Sequence, residues 1–351
     1  MGTEQEVMLT TQTWTPILTR EIDQHGFNIQ EELGKGCFST VYRAVHMKSG
    51  RDVALKVIDK NKADMKMVDN EVEALRRLKG CPNVCGLYDV FQTEVAHVLV
   101  LQYCPGGNLH NRIVMGGMID KVQALRWFMQ LLVAVEACYR VGVINRDVKN
   151  ANCLIDSQGN LCLTDFGLAI ITNNPYQEVL NTATGSLVFA SPEVFSAKKA
   201  AYNGPKSEVW ACAAVLHSML TGTLPFPHAS YSANWSNYEP PLNVPLMFQE
   251  LLIRCFAFNP LHRPDVTDIL DSKSLYQILT RAAMATIMPR EQSTVDITKV
   301  SIGCGQQVLQ DSKNQHRKRT MSLKTAPSRR RANTTNLYTH TAADSHRIVY
   351  A

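Results

Sequence analysis

The alternation of apolar and polar positions divides the chain into a strand-rich first part and a helix-rich remainder. From Phe27 the pattern is strand-like, reaching Leu33-Gly-Lys-Gly-Cys-Phe-Ser-Thr-Val41 and then Tyr42-Arg-Ala-Val45, which predicts strand, glycine turn, strand. Val53-Ala-Leu-Lys56 predicts a third strand, and Pro82 to Phe91 and Ala96 to Leu101 complete a small sheet. Between them, Val68, Val72, Leu75 and Leu78 recur at helical spacing over Asp64–Lys79, and Gly80 stops that helix. Later, Leu125, Phe128, Leu132, Val135 and Tyr139 predict a long core helix over Val122–Val141, ended by Gly142. A further apolar helix opens at Gly204 with a proline in its first turn and stops at Gly222. Two closing helices are expected over Leu246–Phe258 and from Arg263 to Leu270, while 225–251 is rich in Pro, Asn and Ser without clear periodicity. Residues 1–26 are mixed polar sequence, a partly ordered extension with no predicted element.

The candidate chemistry sits in one short span. Val143–Gly167 carries Asp147, Lys149, Asn152 and Asp165 beside apolar residues of strand character, so a rigid sheet would hold them close. Two carboxylates, an amide and an ammonium are what in-line phosphoryl transfer from magnesium-bound ATP needs. Upstream, Gly34 and Gly36 let backbone amides approach phosphate oxygens closely, because no Cβ intervenes.

Composition adds bounds. The 351 residues, 45% of them apolar, supply one large core or two smaller ones. Ten scattered cysteines without a Cys-x-x-Cys pair read as buried free thiols of a reducing compartment. No apolar leader and no run of about 18 apolar residues is present, which argues for a soluble protein, cytoplasmic, nuclear or both. Net charge is +5, but from Arg290 onward eleven Lys/Arg face four Asp/Glu, giving a near-neutral body with a basic tail. Specific nucleic-acid binding is not expected.

Taken together, these stretches resemble the serine/threonine branch of the eukaryotic protein kinase family. Asn145-Arg146-Asp147-Val148-Lys149-Asn150-Ala151-Asn152 is similar to its His-Arg-Asp catalytic loop, and Asp165-Phe166-Gly167 keeps its metal-binding motif intact. The resemblance covers residues 27–281 and implies an α+β fold of two lobes: an antiparallel sheet with one main helix (27–101), a hinge (102–108) and a largely helical lobe (109–281). It implies that Asp147 accepts the hydroxyl proton, Lys149 neutralises the transferring phosphate, and Asn152 and Asp165 hold magnesium, or manganese in its place. Lys56 would grip the α- and β-phosphates and pair with Glu71, with Glu73 as the alternative. ATP would contact Leu33, Gly34, Gly36, Val41, Ala54, Lys56, Gln102, Cys104 and Asn108, with Leu101 gating a back pocket. Glu193 would pair with Arg263, a mark of protein kinases rather than small-molecule kinases. Thr182 and Ser186 belong to the activation segment, 165–193.

Several positions depart from the family pattern: Ser39 for the third glycine, Asn145 for histidine, Asn108 for a carboxylate, Ser191 for alanine, Glu208 for aspartate and Ile170 for a base. They leave open a catalytically inactive, nucleotide-binding or scaffolding module. Asn145 in particular puts a polar amide at the base of an apolar column formed by Leu75, Leu87 and Phe166, and a looser active state is expected. Leu187 and Val188 suggest an apolar residue after the target hydroxyl, and Asn108 and Ala151 argue against basic selectivity before it. In the tail, Arg317-Lys-Arg319 and Arg329-Arg-Arg331 resemble a bipartite nuclear import signal, with Ser322 and Thr334 as candidate targets of a basophilic kinase.

Overall fold

The computed structural model describes residues 16–196, 201–226, 235 and 238–273. The basic tail, Cys304 and residues 227–234 and 236–237 of the Pro/Asn/Ser-rich stretch lie outside them.

The first lobe is built on five antiparallel strands: β1 (Phe27–Lys35), β2 (Ser39–His46), β3 (Arg51–Asp59), β4 (Leu87–Gln92) and β5 (Ala96–Gln102), in the order β1-β2-β3-β5-β4. Register explains why β3 carries a lysine in its middle. Lys56 pairs with Val41 on one side and Leu99 on the other, and it alternates with residues of the opposite face. Val53, Leu55 and Val57 point to that outer face, where they form one cluster with Val98, Val100, Leu18 and Ile22. Ala54 and Ile58 join the inner cluster with Val68, Val72 and Leu75 of α2 (Met65–Arg77), a helix capped by the Asp64 carboxylate on the Lys66 N–H.

Leu18 and Ile22 belong to α1 (Pro16–Gln24), in a stretch where the sequence predicts no element. The helix is nine residues long, with its buried pair one turn apart, too short to be stable in isolation. Burying these two side chains on the sheet contributes roughly 3–6 kcal/mol, so packing rather than propensity makes the helix. A second difference concerns β4, which starts at Leu87 and not near Pro82. Pro82 lacks an N–H, Asn83 adopts φ 58°, and Val84 forms a parallel bridge to Leu163 instead.

The second lobe centres on α4 (Lys121–Arg140) and α6 (Gly204–Thr221), preceded by α3 (Leu109–Gly116) and closed by α7 (Leu246–Cys255) and α8 (Val266–Leu270), with the short α5 (Pro192–Ser196) between α4 and α6. Asp120 caps α4, and Gly222 ends α6 in the left-handed conformation at φ 75°. Paired two- and three-residue strands line the cleft: β6 (Val143–Ile144) with β9 (Ile170–Ile171), and β7 (Cys153–Ile155) with β8 (Leu161–Leu163). β10 (Val179–Leu180) pairs with β11 (Tyr202–Asn203). The hinge is less loose than Pro105-Gly106-Gly107 suggests. Gly106 and Gly107 exchange hydrogen bonds of 2.9 Å with Ile155, and a Cβ on Gly106 would lie 2.7 Å from the Ile155 backbone oxygen. Nine described cysteines are free thiols, seven of them buried; Cys37 in the glycine turn is exposed and Cys81 half-buried, against the expectation that all are inside.

Candidate active site

The loop between β6 and β7 holds Asp147 rigidly. Its Oδ1 accepts the Ser186 N–H (3.1 Å) and hydroxyl (3.2 Å). Its Oδ2 pairs with Lys149 Nζ at 2.8 Å and accepts the Asn152 Nδ2–H at 2.9 Å. Lys149 also donates to Ser186 Oγ at 3.0 Å, so one cation ties the loop to the activation segment. Gly185 permits this approach: at φ 90°, a Cβ there would sit 2.5 Å from the Arg146 carbonyl oxygen.

Arg146 and Asp165 are non-glycine residues at φ 67° and 62°, a conformation costing about 1–2 kcal/mol each. Local contacts hold both. The Arg146 N–H donates to Glu208 Oε1 at 2.7 Å, and Tyr139 donates its hydroxyl to Oε2 at 2.7 Å. Burial pushes the Glu208 carboxyl up, while these donors pull it back toward ionisation. Asn145 donates from Nδ2 to the Asp165 carbonyl (3.0 Å) and accepts the Asp147 N–H on Oδ1 (3.0 Å). The amide beneath fully buried Phe166 therefore has two partners, which removes the reason to expect a loose active state. Ser191 is different: it is fully buried, and its hydroxyl has no partner among the described residues.

Lys56 Nζ bridges Glu71 Oε1 (2.6 Å) and Asp165 Oδ1 (2.9 Å). Burial works against its charge, but Glu71 and Asp165 outweigh it and the ammonium is held charged above the usual lysine range. Partial desolvation would raise the half-exposed Asp165 carboxyl, yet Lys56 holds it below the usual carboxylate range. Of the two glutamates weighed for this pairing, Glu71 is buried and Glu73 instead meets Arg77 at 2.9 Å on the surface.

The remaining expected residues surround this cleft. In the sheet, Gly34 pairs with Val41 and Ala54 with Leu101; Leu33 is 44% exposed, and Gly36 donates its N–H to the Ser39 carbonyl at 2.8 Å. At the hinge, the Gln102 N–H is taken by the Gly86 carbonyl (2.8 Å) and the Cys104 carbonyl by the Gly107 N–H (3.2 Å). Asn108 caps α3 through Oδ1, which accepts the Asn111 N–H at 2.8 Å. Thr182 Oγ1 lies 3.1 Å from Arg146 Nη1. Glu193 takes a two-pronged contact from fully buried Arg263.

The donor set fits a hard divalent cation bound jointly with phosphates. Asn152 spends its Nδ2 on the Asp147 carbonyl and carboxylate, which leaves its Oδ1 as a hard oxygen, and Asp165 keeps a second carboxylate oxygen beyond the one on Lys56. Among the described residues no group of three or more His, Cys, Asp and Glu could hold a metal alone. Magnesium takes one or two protein oxygens together with substrate phosphates.

Residues 27–275 match the protein kinase domain family. The chain belongs to the protein kinase family. It is 34% identical over 250 residues to CBL-interacting protein kinase 16 of Oryza sativa subsp. japonica, covering 68% of this chain and 54% of that protein. To sucrose non-fermenting protein kinase 1 of Fusarium virguliforme it is 36% identical over 253 residues, 69% of this chain and 35% of that one. CBL-interacting serine/threonine-protein kinase 15 of Arabidopsis thaliana is 38% identical over 205 residues, 57% of this chain and 48% of that protein. The chain thus spans about a third to a half of the length of these relatives. The five-stranded antiparallel lobe over a helical lobe is the family's two-lobed fold.

Tyr139 escaped the sequence reading as anything but a core residue. Helical spacing marks only its ring as core, and the hydroxyl's bond to Glu208 leaves no trace in that spacing.

Proposed function

We propose that this protein kinase transfers the γ-phosphoryl group of ATP to serine and threonine hydroxyls of proteins. The observation that carries the reading is the Lys56–Glu71–Asp165 bridge facing an Asp147 carboxylate fixed by Lys149, Asn152 and Ser186. An inactive scaffold has no need of a charged lysine shared between two carboxylates in an accessible cleft.

In this reading Asp147 orients the acceptor hydroxyl and receives its proton, exchanging the Ser186 hydroxyl for that of the substrate. Lys149 neutralises the phosphoryl oxygens, and the third N–H of Lys56 binds the α- and β-phosphates. Asn152 and Asp165 hold magnesium, or manganese, which supplies charge neutralisation on the phosphates. The hinge offers adenine the Cys104 N–H and the Gln102 carbonyl, which also accepts the Cys85 thiol at 3.4 Å; Leu33, Val41 and Ala54 close over the base, and Gly34 and Gly36 offer room above the phosphates. With Asn108 Oδ1 committed to its helix, its Nδ2 is the group left for a ribose hydroxyl. Leu187, 41% exposed beside Ser186, supports an apolar residue after the target.

The kinase unit is assigned to 27–281, with the N-terminal extension and the tail from 282 outside it. Import factors are the proposed partners of the basic clusters, hence a nuclear as well as a cytoplasmic location. No described helix is long and apolar enough to cross a membrane. The test is transfer of labelled γ-phosphate to a degenerate Ser/Thr peptide library. Transfer by the wild-type chain and its loss in Asp147→Asn and Asp165→Ala are expected; nucleotide binding without transfer would favour the scaffold.

A further inference from the structure

Residues 131–139 of α4 are all buried, and Glu136 is the one carboxyl among them, at 0% exposure. A carboxyl set among apolar side chains costs free energy unless a donor reaches it. A donor comes from outside the helix: Tyr176 of the activation segment gives its hydroxyl to Glu136 Oε1 at 2.7 Å. The Tyr176 ring is half-buried against the core and meets the Tyr139 ring edge-on, with centroids 5.6 Å apart.

The activation segment leaves the cleft through β9, paired with β6, and comes back through β10, paired with β11. Between these strands, backbone bonds tie only the ends of 172–178 to the rest of the protein: the Thr172 N–H donates to the Gly142 carbonyl (2.8 Å), and the Glu178 carbonyl accepts the Gly204 N–H (3.0 Å). The middle folds on itself, with the Thr172 hydroxyl on Glu178 Oε2 and the Gln177 N–H on the Asn174 carbonyl. Tyr176 stands in that middle and carries it onto α4. Beyond β10 the same chain continues to Ser186 and Leu187, where an acceptor peptide would lie.

We infer that Tyr176 is a positioning residue: its hydroxyl latches the middle of the activation segment to α4 by answering the buried Glu136 carboxyl, and so sets the fraction of protein able to take an acceptor peptide. Without the hydroxyl the carboxyl draws water into the contact, and the stretch lifts from the helix. Peptide binds the latched form and pulls it back. The effect therefore falls on KM for the peptide and not on kcat at saturation. The nucleotide cleft, at Lys56 and the hinge, shares no residue with 172–178. The inference rests on the phosphotransfer reading.

Tyr176→Phe keeps the ring against Tyr139 and removes the donor. KM for a Ser/Thr peptide should rise about fivefold or more, with kcat and KM for ATP within about twofold of wild type. In the ligand-free protein, amide exchange at Gln177 and Gly204 should speed about fivefold, a readout independent of activity. Adding Glu136→Met to Tyr176→Phe takes away the buried carboxyl at similar shape, so that the ring reseats on an apolar helix. In that double variant KM and exchange should return to within about twofold of wild type, as expected when both partners of a buried bond are replaced by apolar groups. A folded Tyr176→Phe with wild-type KM for the peptide overturns the inference, and so does a double variant no better than the single one. Should Tyr176→Phe fail to fold, the double variant decides: wild-type KM for the peptide supports the latch, and raised KM or misfolding overturns it. Wild-type protein that binds ATP and transfers nothing marks failure of the phosphotransfer reading instead, whereas the exchange rates still report on the latch.

Discussion

Two cations, Arg263 buried in the helical lobe and Lys56 half-buried in the cleft, have similar partners and opposite degrees of saturation. Arg263 has five N–H donors, and all five are used: Nε on the Ala257 carbonyl, one terminal nitrogen on Glu193 and the Lys206 carbonyl, the other on Glu193 and the Phe258 carbonyl. The guanidinium also stacks over Trp210, 4.9 Å from the ring centroid. Nothing is left for a ligand. Lys56 has three donors and spends two, on Glu71 and Asp165, in a cleft where the Asp165 side chain remains 43% exposed. The same ionic chemistry serves architecture where it is complete and recognition where one valence is kept back.

The sharpest way to break this comparison is to remove each cation. Arg263→Ala leaves the Glu193 carboxylate and three backbone carbonyls without their donor. The expected loss is about 3–5 kcal/mol of stability, read as a lower urea midpoint or as insoluble protein. Because bidentate geometry is the point, Arg263→Lys should recover less than half of it. A loss under about 1 kcal/mol would remove the architectural half of the contrast.

Lys56→Met should behave in the opposite way. Phosphotransfer should fall on the order of a hundredfold or more, about 2.7 kcal/mol in the barrier, with a urea midpoint close to wild type. The cost of unpairing Glu71 is limited by that carboxyl taking up a proton. A Lys56→Met protein that unfolds as readily as Arg263→Ala would show the cleft pair to be structural as well.

His217 of α6 tests what the helical lobe does with a titratable group given no countercharge. Its ring meets the Tyr238 hydroxyl at 2.8 Å, and burial lowers its pKa to about 4. The unfolded chain titrates near 6.5. Above about pH 6.5 both states are neutral and the stability is fully present. As pH falls toward 4 the unfolded state binds a proton that the native state refuses, so stability is lost, up to about 3 kcal/mol. Urea midpoints at pH 7.5, 6 and 5 should fall, and His217→Gln should flatten the slope. Equal slopes in both proteins would mean that other groups carry the acid sensitivity.

Which of these features could be read from sequence follows the same division. Lys56, Asp147, Asn152 and Asp165 could be proposed from sequence because each stands in a short motif that resembles one of the family's. Glu71 needed only helical spacing, although Glu73 stayed a rival until burial separated them. The saturation of Arg263 was not legible, since three of its partners are backbone carbonyls, at Ala257, Phe258 and Lys206, and carbonyls leave no trace in residue identity. The two bonds of Asn145 were hidden for the same reason. Helix α1 was missed because its signal is only Leu18 and Ile22, and what stabilises it is a sheet whose outer face forms 30 to 80 residues later.

The smallest expected effect concerns the activation segment, where the cation is Arg146. In the unmodified protein this arginine already donates to the Leu168 carbonyl (2.7 Å) and to Thr182 Oγ1 (3.1 Å). The segment is ordered by contacts that need no phosphate: β10 pairs with β11, Tyr202 donates to the Thr182 carbonyl at 3.1 Å, and Tyr176 donates to Glu136 at 2.7 Å. A phosphate on Thr182 would strengthen one existing contact into a charge-assisted one. It would find no second base at Ile170, where relatives supply one. Thr182→Ala should therefore retain about a tenth or more of wild-type turnover, a loss within about 1.4 kcal/mol, in dephosphorylated protein assayed on the same peptide. A folded Thr182→Ala with no measurable turnover, rescued by Thr182→Glu, would instead make Arg146 a cation kept unsaturated for phosphate, placing it with Lys56 rather than between the two extremes.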